Sequence, residues 1–159
     1  MIWKEGDIVG VGIEPFKTFS DDRGWLAELF RSDMLSANDY PEMGYLSSTN
    51  AGKQRGPHEH HAQTDRFGFF HGHYRLFLWD AREGSESYGI RCIVDVGQSN
   101  AVVVTIPPGV VHAYVNVGVE DAFVLNFPNK LYAGQHRKEP VDEIRHEDLL
   151  DSPFTLDLK

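Results

Sequence analysis

The sequence predicts an all-β fold, a sandwich or closed barrel of short antiparallel strands, and three observations lead there. Runs rich in Val, Ile, Phe, Tyr and Trp recur at 8–13, 45–49, 66–70, 74–80, 89–94, 101–106, 113–116 and 122–126. Between them stand pieces such as Arg82-Glu83-Gly84-Ser85 and Gly97-Gln98-Ser99-Asn100, whose Gly, Ser and Asn residues suit tight reversals. Helical signals are confined to the margins, as a short turn starting at Ser32 and a charged terminal helix over 141–150.

A chain of 159 residues is expected to form one domain, 1–159, with 1–18 supplying strands available to a second copy and 141–159 a tail. An apolar share of 41% and an aromatic share of 12% can fill one core. No apolar run approaches the ~18 residues that span a bilayer, so no membrane partner is expected. Lys4 and Glu5 put charge where a secretory signal carries apolar residues, and a cytoplasmic location follows as the expectation. The formal net charge of −9 argues against nucleic acid and anionic membranes, which both recruit clustered Lys and Arg. An anionic ligand must then be held by a few local arginines. The single cysteine, Cys92, excludes an intrachain disulfide framework and a cysteine-built zinc site. Its setting, Ile90-Arg91-Cys92-Ile93-Val94, reads as a strand.

Chemistry concentrates in Gly52-Lys53-Gln54-Arg55-Gly56-Pro57-His58-Glu59-His60-His61-Ala62-Gln63-Thr64-Asp65, with Gly72 beyond it. Residues two apart on a strand share a face, so His58 and His60 are expected to point together. The turn Pro107-Pro108-Gly109 should return His112 to the same interior, with Asn116 further along that strand. These two pieces resemble the two cupin motifs, although Asp65 replaces the usual glutamate and Ala101 the glycine that opens the second motif. The resemblance implies a double-stranded β-helix, or jelly-roll barrel, with short peripheral helices. It also implies a metal reading, with a divalent ion on His58, His60, Asp65 and His112, because imidazoles and a carboxylate suit Fe, Mn, Ni, Cu or Zn. The plainer alternative makes those residues polar pocket groups without metal, and His61, His71 and His73 exposed or strand-pairing residues.

A second resemblance spans most of the chain. Asp22-Arg23-Gly24-Trp25-Leu26-Ala27-Glu28, Arg55-Gly56-Pro57-His58, Asp80-Ala81-Arg82-Glu83-Gly84-Ser85, Ile106-Pro107-Pro108-Gly109-Val110-Val111-His112 and Ile144-Arg145-His146-Glu147-Asp148 follow in order. Their order and separations resemble those of the nucleotide-sugar 3,5-epimerases, the family of dTDP-4-dehydrorhamnose 3,5-epimerase, itself cupin-shaped. The likeness implies an isomerase acting on a nucleoside-diphospho-4-keto-6-deoxy sugar destined for surface polysaccharide such as lipopolysaccharide. It further implies no required cofactor and a homodimer. The implied reaction is epimerisation at C3, C5 or both, by removal of a proton beside the ketone and its return from the opposite face. Such chemistry needs a base, an acid and support for the enolate.

Residue by residue, the likeness makes Arg23 and Arg55 the diphosphate ligands, since a planar guanidinium makes bidentate contacts. Glu28 becomes a positioning group, His58 the base, and Gln63, His112 and Tyr114 substrate contacts. Three positions depart from the family. Asp65 stands where a lysine would support the enolate, and a carboxylate there opposes the reaction. Asn126 occupies the place of the catalytic tyrosine, with Tyr132 and Tyr114 as nearby phenols. The carboxylate that orients the family's histidine has only Asp151 or Asp157 as stand-ins. A divalent ion on the His/Asp group would neutralise Asp65 and replace the lysine's charge; with His58 as ligand, Glu59 or His61 would have to take the proton. Two other readings stay open, a metal-dependent cupin enzyme of another class and a non-catalytic sugar-nucleotide binding protein.

Overall fold

Thirteen strands, three single-turn 3₁₀ helices and no α-helix make up residues 2–157, the part that the computed structural model describes. Met1, Leu158 and Lys159, the outermost residues of the expected domain, lie outside the described residues. In chain order the strands are β1 (Lys4–Glu5), β2 (Gly12–Pro15), β3 (Lys17–Asp21), β4 (Gly24–Glu28), β5 (Tyr45–Thr49), β6 (Gln54–Glu59) and β7 (Asp65–Phe69). They continue as β8 (His73–Asp80), β9 (Ile90–Gly97), β10 (Val102–Ile106), β11 (Val110–Asn116), β12 (Ala122–Asn126) and β13 (Ile144–Arg145). One sheet runs β1-β9-β8-β11-β6-β13 and a second β2-β10-β7-β12-β5, while β3 and β4 form a separate hairpin. From β5 to β13 the chain changes sheet at every step except β8 to β9, which is the jelly-roll winding of the cupins. No helix among the described residues is long and apolar enough to cross a membrane.

Period-two alternation explains which side chains meet. On β8, Leu76 and Leu78 enter the space between the sheets with Phe67, Phe69, Val104 and Val124, while Phe77 and Trp79 face the other way. That outer face is not left wet. Trp3 and Phe154 cover it, with Trp3 Nε1 donating to the Pro153 carbonyl at 3.1 Å, so both terminal segments close one side of the barrel. Strands buried on both faces read as near-continuous apolar runs, which is how 76–79 and, broken only by His112, 110–115 appear in the sequence.

Several boundaries differ from expectation, each for a local reason. The apolar run 8–13 splits, because a turn closed by Val11 N donating to Ile8 O puts Gly10 at φ +86° and delays the strand to Gly12. β1 and β2 both pair within this chain, to β9 and β10. The hairpin β3–β4, exposed along most of its length, was not expected, and β6, expected only as the stretch that carries His58, begins at Gln54, is interrupted by Gly56-Pro57 and shifts register against β11 between His112 and Tyr114. The expected turn at Ser32 is present as a 3₁₀ helix, Ser32–Met34. The expected helix over 141–150 is absent: the chain runs extended to Arg145, with Ile144 and Arg145 paired to Glu59 and His58, and then turns, the His146 N–H donating to Pro57 O. A free strand edge supplies more partners than a short isolated helix, which is marginal in water.

The Asp80-Ala81-Arg82-Glu83-Gly84-Ser85 segment is a buried polar staple. The fully buried Asp80 carboxylate accepts from the Arg82 guanidinium and backbone N–H at 2.9 and 3.0 Å, from Ser85 Oγ at 2.6 Å and from Ser87 Oγ, which itself accepts from the Val9 N–H at 2.9 Å. Burial raises its pKa, but Arg82 and the serines outweigh that and hold it well below the usual carboxylate range. Asp80→Asn should cost about 1–3 kcal/mol, since donors then face an amide N–H, measured as a shift of the urea midpoint at pH 7. A depressed carboxyl stabilises fully above its unfolded value of ~3.9 and loses that contribution progressively as pH falls toward its own lower folded value, so wild type and variant should begin to converge below about pH 4 and meet only at much lower pH.

Candidate active site

β11 points alternate residues to opposite faces. Val111, Ala113 and Val115 join the outer cluster, so His112 and Tyr114 look into the barrel, where His112 is 1% exposed. Its neighbour across the sheet is His58, in direct register. That close approach requires glycine at 56: with φ +78°, a Cβ there would sit 2.4 Å from the His112 carbonyl oxygen. The Pro107-Pro108-Gly109 turn docks on the same strand end, its Gly109 N–H donating to His60 O at 2.8 Å.

The three imidazoles expected to converge do so. Ring centroids of His58 and His112 are 4.4 Å apart, those of His58 and His60 5.7 Å, and those of His60 and His112 5.9 Å. One nitrogen from each lies within 4.8 Å of the others. Asp65, at the start of β7 and 1% exposed, reaches them with Oδ2 at 3.1 Å from His60 Nε2 and 3.4 Å from His112 Nε2. Its Oδ1 is occupied by two amides, accepting from Gln63 Nε2 and Asn126 Nδ2 at 2.8 Å each. Asn126 also donates to the Tyr45 hydroxyl at 2.9 Å and accepts from the Arg66 N–H at 3.0 Å.

These contacts fix the electrostatics. Burial, together with the His112 and His60 imidazoles, pushes His58 down to about 2, so it is neutral at physiological pH. Burial opposes charge on His60 as well, but the Asp65 carboxylate prevails and raises it. Burial likewise raises Asp65, and the two imidazoles beside it, His112 and His60, more than reverse that and keep it ionised. Burial pushes Tyr45 up to about 12 and also raises Tyr114, leaving both phenols protonated as donors.

A cavity of about 900 Å³ opens from this cluster, with His58, His60 and Gln63 at its polar end and Tyr45, Phe67 and Tyr114 along its walls. Arg55 lines it too, anchored through Nη2 to Ser48 O at 2.7 Å and through Nε to Thr49 Oγ1 at 3.1 Å. Tyr132 stands on the rim under Arg137, whose guanidinium lies 6.0 Å from the ring centre. The rim loop holds Ala133, His136 and Arg137 at φ 55–60°, left-handed backbone that non-glycine residues adopt at a cost and that concentrates at functional sites. Arg145 completes a group of three cavity-lining guanidinia in a chain of net charge −9.

The residues singled out from sequence therefore divide. His58, Arg55, Gln63, Tyr114 and Tyr132 line the cavity, and His112, Asp65 and Asn126 stand behind its wall. Arg23 and Glu28 do not reach it within this chain: Arg23, 85% exposed, pairs with Asp21 at 2.5 Å, and Glu28 with Arg31 at 3.4 Å. Asp157 pairs with Arg91 at 3.5 Å, outside the cavity lining. Sequence reasoning missed Tyr45, Arg137 and Asp142. The Asp142 carboxylate accepts the backbone N–H groups of His61, Ala62 and Gln63 at 2.8–3.0 Å, and its carbonyl meets His60 Nδ1. Arg145 lay within a quoted motif without a role, and only the spatial return of β13 reveals one.

Comparison with known proteins places this geometry. The family model for dTDP-4-dehydrorhamnose 3,5-epimerase matches residues 5–148. A probable low-salt glycan biosynthesis epimerase, Agl13 of Haloferax volcanii, is 33% identical over 127 residues, covering 79% of this chain and 81% of that protein. The crystal structure of a dTDP sugar isomerase from Desulfovibrio desulfuricans G20 superposes with a TM-score of 0.77 at 23% identity, covering 93% of this chain and 91% of that one. The Legionella pneumophila enzyme RmlC, solved with dTDP-4-keto-L-rhamnose, superposes with a TM-score of 0.73 at 22% identity, over 98% of this chain and 85% of that one.

Proposed function

The chain belongs to the dTDP-4-dehydrorhamnose 3,5-epimerase family, a family of isomerases, and from that premise we propose that it epimerises a nucleoside-diphospho-4-keto-6-deoxy sugar beside the ketone for a surface polysaccharide. The observation that carries this reading is geometric: the His58 imidazole and the Arg55 guanidinium line one cavity of about 900 Å³. A neutral imidazole can remove the acidic proton, and a guanidinium suits the diphosphate. Donors for the ketone oxygen come from the Tyr45 and Tyr114 phenols, while the Gln63 amide, which meets Asp65 at 2.8 Å and His60 Nε2 at 3.2 Å, holds those two groups in place. Tyr132 on the rim serves the returning proton or the bound nucleotide, while Asn126 acts through its hold on Asp65.

Arg23 and Glu28 fit the same reading when a second copy is present. The hairpin β3–β4 exposes Phe19, Trp25 and Leu26 by 50–62%, an apolar surface on which two copies of the chain can pair. We assign the molecule to a homodimer in which this hairpin carries Arg23 to the partner's cavity.

The test is incubation with the 4-keto-6-deoxy sugar nucleotide in deuterium oxide. Deuterium should enter at C3, C5 or both, whatever the equilibrium between epimers. Saturable binding with no label entering either carbon would leave only a sugar-nucleotide binding protein.

A further inference from the structure

Inverting a carbon by proton transfer takes the proton from one face of the sugar ring and returns one to the other, so the acid must stand across the cavity from the base. His58 fixes the first side, because it lies on β6 in the sheet β1-β9-β8-β11-β6-β13. Tyr114 rises from β11, the strand next to β6, and its hydroxyl lies 3.5 Å from Ser47 Oγ. His60 follows on the same chain segment as His58 and is held by Asp65 and Gln63 at 3.1 and 3.2 Å. Both spring from the side of the base. The strands of the second sheet contribute Tyr45, Ser47 and Phe67 to the cavity wall, and of these the Tyr45 phenol carries the most acidic hydrogen.

Register and hydrogen bonds prepare that phenol. Tyr45 opens β5 directly opposite Asn126 on β12. Asn126 Oδ1 accepts the Arg66 N–H at 3.0 Å, which orients the amide, so its Nδ2 donates, to Asp65 Oδ1 at 2.8 Å and to the Tyr45 hydroxyl at 2.9 Å. The phenol oxygen is therefore an acceptor in this contact, and no acceptor among the described residues takes its hydrogen. A donor aimed at the phenol oxygen also stabilises the phenolate left when the proton departs, which offsets part of the burial that pushes Tyr45 up to about 12.

We propose that Tyr45 is the catalytic acid that returns the proton to the sugar carbon, with Asn126 as its positioning residue. The assignment rests on the epimerase reading and narrows it, leaving the ketone oxygen to Tyr114 and the nucleotide to Tyr132 on the rim. In the first step the C–H bond beside the ketone breaks, His58 takes the proton and the electron pair enters the enolate. The same carbon then takes the Tyr45 hydrogen from the opposite face, which forms the new C–H bond and leaves a phenolate. Water moves the proton from His58 to Tyr45 before the next turnover.

The test separates exchange from inversion. A dTDP-linked 4-keto-6-deoxy-hexose is incubated with the protein in deuterium oxide, total deuterium entry is read by mass spectrometry and the new epimer by NMR. Without the acid, His58 still removes the proton and can hand a solvent deuteron back to the face it came from. Tyr45→Phe should therefore form the new epimer about 10²–10⁴-fold more slowly than wild type, while deuterium entry falls less than tenfold. Tyr114→Phe should slow exchange and inversion together, and Tyr132→Phe should change neither by more than tenfold. Retained dTDP binding and an unchanged near-ultraviolet circular dichroism spectrum establish that each variant is folded. A folded Tyr45→Phe that forms the new epimer within tenfold of wild type would overturn the assignment. Equal loss of exchange and inversion would overturn it too, by making Tyr45 a donor to the ketone oxygen, as would selective loss of inversion in the Tyr114 or Tyr132 variant instead. Wild-type protein that admits no deuterium would sink the epimerase reading itself, an outcome distinct from all of these.

Discussion

Replacing His58 with Asn should lower the rate of deuterium entry from solvent by about 10²–10⁴-fold, the usual contribution of a positioned general base. The amide fits the space beside His112 and keeps polarity in the wall, but it has no lone pair basic enough to take a carbon-bound proton. Binding of the nucleotide sugar should change by less than tenfold, because Arg55 and the tyrosine walls are untouched. The loss should therefore fall on kcat and not on KM, the pattern of an interaction needed only as the proton leaves. Exchange within tenfold of wild type in the folded variant would move the base elsewhere, to Glu59 or His61.

The departure of Asp65 from the family pattern looks damaging in the sequence, because a carboxylate replaces a cation beside a developing enolate. The structure gives it a different context. Asp65 is the hub at which His60, His112, Gln63 and Asn126 meet, and Asn126, also at variance with the family, supplies one of its two amide donors. Two substitutions that seem separate in the sequence are partners in space, 61 residues apart. A tyrosine at 126 would bring a bulky phenol toward a carboxylate already engaged by two imidazoles.

The barrel and the histidine cluster were legible because their signals are local. Alternation along each strand, turn residues between strands and the i, i+2 spacing of His58 and His60 need no knowledge of the rest of the chain. The same locality hid what lies beyond it. Asp142 fixes the 61–63 turn from 80 residues away, and its neighbours are charged in the way that suits a solvated helix as well as a docked strand. The hairpin β3–β4 carries a recognisable motif but leaves its side chains in solvent, so its conformation did not declare its purpose.

That hairpin supplies the second large effect. Arg23→Ala and Arg55→Ala should each raise the KM for the nucleotide sugar by about 10–100-fold, the loss of one or two charge-assisted hydrogen bonds to a phosphate. If the two arginines act from different chains of a homodimer, co-refolding the two single variants should restore near wild-type KM in about a quarter of the sites. A hybrid dimer has one cavity with both arginines intact and one with neither, and random pairing makes half the dimers hybrids. Arginines acting from one chain predict no such recovery, because no cavity in any pairing would then hold both. The low-KM phase should disappear when Trp25→Ser is added to both variants, since that residue is 62% exposed on the face expected to join the copies. A mixture that behaves as the plain average of its two components would place Arg23 outside the catalytic unit and reduce the hairpin to an outer feature of the barrel.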